Sequence, residues 1–334
     1  MLGTLRTFLP GAQKSVEIRM RPEAEPMSGN AVQLITCSYS GDFEVCRLLC
    51  ASVDEFAPDG MSHRLYVPRH DLPLFAELAT SRRTLGAQED LLPKWLWKVP
   101  LPGPKWRARL RLPRRNVYLT PFSLPVRGWI AQQMMKIAAT LRSEVDIVVH
   151  VDSDSVFIRP FTVSNLVTDG KTRFHASDVE LVHEAHIPWY AAAARLLGLP
   201  ESDYYTAEYI DQIVVWRRTV VEAMTARIEA TTGMNWAKSL AKTPHFAEYV
   251  LYGVFVEQVL GLDAAGLAKH TRSLSHSRWT GDFTGPEDET AFVESLPPDQ
   301  IACAIQSTNS IGIGERKRIL ERVTERAAEQ DSQR

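Results

Sequence analysis

V-D-I-V-V-H-V-D-S-D-S-V-F-I-R-P-F, from Val145 to Phe161, is the stretch on which the reading of this chain turns. Ile147 to Val151 is apolar and β-branched apart from His150, a pattern that predicts a strand buried on both faces of a parallel sheet. The strand runs into Asp152-Ser153-Asp154. Side chains two apart share a face of an extended chain, so the spacing predicts both carboxylates leaving the strand's carboxyl end together. Open α/β sheets bind their ligands at that end. Two hard oxygen donors there suit Mg²⁺ or Mn²⁺ held against phosphates. The spacing by itself carries little weight, because 17 Asp in 334 residues give about one Asp-x-Asp by chance. A pair that caps the strand and starts a turn is the plainer alternative. The buried strand that delivers the acids is what favours a functional role.

Upstream, the spacing predicts a helix over Ile130 to Leu141, with Gln132, Gln133 and Lys136 along it. A first strand is expected over A-V-Q-L-I-T-C-S-Y, residues 31 to 39. After Ser40-Gly41-Asp42, the residues Phe43, Val45, Cys46, Leu49, Cys50 and Val53 fall at helical spacing. A second strand, His63 to Val67, leads through Pro68 into a helix bearing Leu74, Phe75 and Leu78. Strand–helix–strand–helix openings mark parallel sheets of the nucleotide-binding kind. Residues 1–30 hold three prolines and several charges, which predicts an irregular lead-in. Between Leu91 and Trp129, L-L-P-K-W-L-W-K-V-P suggests a strand, followed by a proline-broken segment. There Lys105, Arg107, Arg109, Arg111, Arg114 and Arg115 form either a solvated hairpin face or a patch facing phosphate or acceptor.

Downstream, R-F-H-A-S-D resembles a strand end, and Pro188 places the start of a helix near Ile187, running to Leu197. His183 and His186 precede that proline, in an expected polar loop rather than a metal site. A strand I-V-V-W, helices over Thr219 to Ala230 and Tyr249 to Leu260, and a strand over Cys303 to Gln306 follow. The charged tail from Glu315 reads as an amphipathic helix packed on the body or on a second subunit, as in a homodimer. A chain of 334 residues with 45% apolar and 23% charged residues is an ordinary globular composition. A net charge of −2 argues against nucleic acid as a partner. No run approaches the length of a membrane span and the N-terminus is too short for a signal peptide, so the expectation is a cytoplasmic protein with no integral membrane contact. Cys37, Cys46, Cys50 and Cys303 show no C-x-x-C and read as buried, reduced thiols.

Haloacid-dehalogenase-like phosphatases also place Asp-x-Asp after an apolar strand, and Val156 fits the residue they use two positions on. They need a later Gly-Asp with a second Asp four residues further. Gly41-Asp42 comes too early, and Asp288 is six residues beyond Asp282. The strand here is also not the first of its sheet.

The blocks I-T-C-S-Y-S-G-D-F (35–43), R-G-W-I-A-Q-Q-M-M-K (127–136), H-V-D-S-D-S-V-F (150–157), W-R-R (216–218) and F-A-E-Y-V-L-Y-G (246–253) come in an order that resembles the GT-A glycosyltransferases. The likeness is to a bacterial, largely uncharacterised branch of that class, over roughly residues 31 to 280. It implies a GT-A-like, Rossmann-like α/β fold with a mixed, mainly parallel sheet flanked by helices. One catalytic domain would span 31–310, with a nucleotide-sugar half (31–160) and an acceptor half (161–310), and a charged helical extension would follow at 311–334. The resemblance further implies Mn²⁺ or Mg²⁺ on Asp152 and Asp154, with a His as third ligand, His276 first and His270 second. Thr36, Ser38 and Tyr39 would meet the nucleobase and ribose, and Arg127, Gln133, Lys136, Asp152 and Ser153 the donor. Glu248 is the first candidate for the acceptor's general base if the anomeric carbon inverts, with Asp211 and Asp178 in reserve. The donor would be a nucleotide-sugar, most simply a UDP-sugar, and the acceptor a small molecule, glycan or lipid-linked sugar. A nucleotidyltransferase is the nearest rival, although T-C-S-Y-S-G-D-F lacks a glycine-rich basic phosphate loop. A non-catalytic sugar-nucleotide-binding protein is the alternative outside enzymes.

Overall fold

A computed structural model describes residues 31–100, 116–180, 182–200, 207–306 and 309–334, together with a short antiparallel pair, Thr4–Arg6 with Glu17–Arg19. The rest of the expected lead-in and the basic stretch 105–115 lie outside the described residues. The central sheet is built from β1 (Val32–Cys37), β2 (Ser62–Val67), β3 (Arg83–Ala87), β4 (Ile147–Val151) and β5 (Ile213–Arg217). Their spatial order is β5-β4-β1-β2-β3, with β5 alone antiparallel. The protein is thus a mixed α/β structure with a mainly parallel sheet, flanked by helices and closed by a C-terminal helix. β3, R-T-L-G-A, has too little apolar periodicity to be read from sequence. The expected strand near Trp95 shrinks to Trp97–Lys98.

Alternation along the strands assigns the two faces. Val32 and Leu34 of β1, with Ile147, Val149 and Val151 of β4, pack on the side of α1 (Phe43–Phe56). Ile35, Cys37 and Val148 face the other way, toward α2 (Gly128–Leu141). All five residues of β4 are buried, as the apolar run predicts. At its far edge β5 is held by Arg217, which donates to Asp146 at 2.7 Å just before β4, while Asp146 accepts from the Thr219 amide.

Beyond the acidic pair the chain enters a second small sheet. Ser155–Phe157 pairs antiparallel with Ala302–Ile305, which in turn pairs parallel with Ser275–Arg278. The helices α3 (Ile187–Leu197), α4 (Arg218–Thr232) and α5 (Glu248–Phe255) pack on the α2 face, α3 with Pro188 in its first turn as expected. Gly253 in α5 is required by close approach, for a Cβ there would lie 2.3 Å from the Tyr209 ring. The charged tail forms the last helix, α6 (Ile313–Ser332), whose Ile319, Leu320, Val323 and Ala327 are buried against Val156, Phe292 and Cys303. No described helix is long and apolar enough to cross a membrane. All four cysteines are free and buried.

Candidate active site

β1 connects to β2 on one side, while its other neighbour, β4, arrives much later in the chain. The crevice between the carboxyl ends of β1 and β4 is therefore the topological switch point of the sheet, and Tyr39 and Asp152 flank it. The alternation that sends Val148 and His150 to the α2 face carries on to Asp152. Its carboxylate consequently meets Lys136 of α2, with Nζ 2.9 Å from Oδ1. Lys136 also lies 3.1 Å from Glu248 Oε1 and donates to the Tyr249 hydroxyl at 2.7 Å. Three acceptors thus surround an ammonium that has three donors. Burial alone would lower the Lys136 pKa, but Asp152, Tyr249 and Glu248 more than offset it and hold it well above its ordinary value. Glu248 is itself pushed up by burial, against the pull of Lys136. Gln133, one turn before Lys136, accepts from the Glu248 amide at 2.9 Å, so two residues of α2 fix the first turn of α5.

The pair does not emerge as extended chain predicts. Asp152 to Asp154 form a turn, with the Ser155 amide bonded to the Asp152 carbonyl at 3.1 Å. In a turn the two-residue repeat is lost. Asp152 faces Lys136, whereas Asp154 is buried within electrostatic reach of Arg316 from α6. Asp42 completes this second group, bonded to Tyr39 and Ser153 and also near Arg316. Arg316 and Asp42 do not stand out in the sequence as site residues. A signal existed for Arg316, which precedes Ile319, Leu320 and Val323 at helical spacing and so shares their buried face.

The remaining candidates separate clearly. Tyr39 is 51% exposed, its ring lying over Gly41 at the mouth of the crevice. Ser38 is buried, its backbone tied to Tyr66 and to the Gln88 side chain. Thr36 faces α1 and bonds His63 at 3.1 Å, so the structure takes it out of the expected base-reading role. Arg127 is exposed and donates to the Pro244 carbonyl at 2.6 Å, ordering the approach to α5. Asp211 is buried where β5 begins, opposite the end of β4. It accepts from the Ser273 hydroxyl at 2.7 Å and the Gln212 amide at 2.8 Å, with His175 at 3.7 Å. Burial raises its pKa.

His276 stacks on Phe292 and donates Nε2–H to the Phe292 carbonyl at 2.7 Å, under the C-terminal helices. His270 accepts from Arg173 at 3.1 Å. Asp178 pairs with Lys269 at the surface, and His186 with Glu208. Among the described residues no three His, Cys, Asp or Glu side chains gather as a metal cage, so neither histidine is brought to the acidic pair as a third ligand.

The chain belongs to the family of unknown function DUF6492, whose model matches residues 31–327, from β1 into the last helix. No curated protein matches it.

Proposed function

We propose that the chain is a metal-dependent glycosyltransferase of GT-A type that moves a sugar from a nucleotide donor, a UDP-sugar, to an acceptor. The observation that carries this reading is the partly exposed Asp152, held by a buried lysine at the switch point, where the exposed Tyr39 follows the neighbouring strand β1. The donor set fits a divalent cation. Asp152, Glu248, Asp154 and Asp42 set four carboxylates against Lys136 and Arg316, leaving net negative charge, and Asp152 is 37% exposed. Mg²⁺-type sites take one or two carboxylates and complete their shell with water and phosphate oxygens, which suits a pair without a protein cage. Asp152 and Asp154 would hold the ion, which when bound would neutralise charge on the departing diphosphate.

The chain's own groups supply the rest. Lys136 fixes the direction of the Asp152 carboxylate, and Glu248 positions Lys136 rather than touching substrate. Tyr39 offers a flat face for a base. Asp211 is the better candidate to take the proton from an acceptor hydroxyl in an inverting transfer, because Glu248 is committed to the lysine. Asp211 is a carboxylate whose raised pKa suits that task.

The test is a panel of UDP-, GDP- and dTDP-sugars, with and without Mn²⁺, read by thermal stabilisation and donor hydrolysis. A Mn²⁺-dependent response to UDP-sugars, lost in Asp152→Asn and Asp154→Ala, is expected. A response unchanged in both variants overturns the site, and silence toward every donor overturns the activity.

A further inference from the structure

Each acid of the Asp-x-Asp pair has a buried cation beside it. Lys136 meets Asp152, and Arg316, from the far end of the sequence, stands within electrostatic reach of Asp154. Arg316 is 3% exposed and lies in the first turn of α6. Its two terminal nitrogens donate to the backbone carbonyls of Ile305 and, at 3.1 Å, of Gln306. Ile305 ends the strand in which Ala304 pairs with Ser155, and its amide lies 3.4 Å from the Asp154 carbonyl. The guanidinium is therefore anchored at the edge of the small sheet, where the chain leaves the acidic turn. Ile319, Leu320 and Val323 hold the helix that carries it in the core. A cation in this place is doubly unfavourable, because burial strips it of water and the first turn is the positive end of the helix dipole. Asp154 and Asp42 offset both effects. With both terminal nitrogens tied to backbone, Arg316 cannot step aside when a second cation arrives.

We propose that Arg316 is a specificity-determining residue of the donor site, a fixed positive charge that favours the diphosphate of the nucleotide and disfavours a metal ion bound without it. The inference rests on the reading of Asp152 and Asp154 as the metal-binding pair. A divalent cation held by Asp154 is repelled by the guanidinium in a region where water and salt screen little. Phosphate oxygens brought to the same place are attracted by it. Arg316 is too buried to touch a phosphate, so it acts through the field at Asp154 and not by contact. A residue that only held the fold would behave differently, since its loss would loosen the site for both ligands alike.

The experiment measures two affinities of the full chain. Mn²⁺ binding without nucleotide is read by electron paramagnetic resonance, and UDP binding at saturating Mn²⁺ by calorimetry. Arg316→Met should tighten Mn²⁺ about tenfold and weaken UDP by a similar factor. Arg316→Gln, whose amide can still donate to a carbonyl, should move both in the same opposed directions, and Arg316→Lys, which keeps the charge, should return both toward wild type. Variants that shift the two ligands in one direction, or leave either unmoved, overturn the proposal while the metal pair stands. Loss of the fold in both Arg316→Met and Arg316→Gln makes the residue structural and overturns it as well. Absence of Mn²⁺ and UDP binding in the wild type overturns the metal pair, and the proposal falls with it.

Discussion

Arg83 and Lys136 are both buried cations, on opposite faces of one sheet, and they are satisfied in different ways. Under α1, Arg83 spends all its donors on protein acceptors. Nε donates to His63 at 2.9 Å, and the two terminal nitrogens reach both Asp54 oxygens at 2.6 and 3.2 Å and the carbonyls of Cys50 and Leu78 at 2.7 and 2.9 Å. His63 passes the chain on to Thr36. Nothing in this network opens toward the carboxyl edge of the sheet. Lys136, under α5, has its three acceptors too, but one is Asp152, which is partly exposed at the switch point. Both cations hold a carboxylate that reaches solvent, so exposure does not separate them. Position does: Asp54 lies at the end of α1 beside the start of β3, whereas Asp152 follows the carboxyl end of β4 at the switch point, where open α/β sheets bind ligands.

Removing each cation in turn is the strongest way to break this contrast. Arg83→Met should cost about 4 kcal/mol in urea unfolding, within the range for breaking a buried pair and orphaning its partners. Nucleotide affinity per folded molecule should stay the same. If binding is lost in step with stability, the two networks are not separate.

Lys136→Met should cost less, about 3 kcal/mol, because Glu248 can take up a proton and Asp152 can turn to water. Donor hydrolysis should nevertheless fall about 100-fold, the size of loss seen when an active-site electrostatic contact is removed. The double variant Lys136→Met/Glu248→Gln should recover stability in denaturant melts without recovering hydrolysis. Recovery of both would make the lysine merely structural.

Acid sharpens the comparison from the other direction. Burial and the charges of Arg83 and Arg82 push the His63 pKa down to about 3, and burial with Lys136 nearby pushes that of His150 well below its ordinary value. Below about 6.5 the unfolded chain therefore binds protons that the folded chain refuses. Stability from this source is complete above that pH and is lost as pH falls toward 3, at about 1.4 kcal/mol per pH unit for each histidine. Unfolding titrations at pH 7 and 5 should show the slope, and His150→Phe should halve it. The smallest effect on stability is expected for Asp152→Asn. It should change unfolding by less than about 1 kcal/mol, since the carboxylate is partly solvated, while abolishing the Mn²⁺-dependent donor response. An unfolding change several times larger would make Asp152 a structural acid like Asp54.

The sequence shows β4 and α2 plainly because both carry strong apolar periodicity. Parity along β4 sends Asp152 to the face of Val148 and His150, but that Lys136 of α2 covers this face is a tertiary fact. Parity works against Thr36, since even-numbered residues of β1 face α1. His276 could not be placed in the same way. Its strand pairs with one some thirty residues later, and only that register turns the ring onto Phe292. The direction in which Asp154 leaves β4 departs from the extended-chain expectation for a local reason, because the chain turns just after the strand.

The sequence by itself determined a buried parallel strand ending in acids, a preceding helix carrying Gln133 and Lys136, and a charged terminal helix with one apolar stripe. Periodicity and composition are local properties and need no partner to be read. Tertiary structure alone decided that β1 and β4 are neighbours, which creates the crevice, and that Arg316 returns from the C-terminal helix to face Asp154 and Asp42. Both depend on contacts between residues far apart in the chain, which no local pattern records.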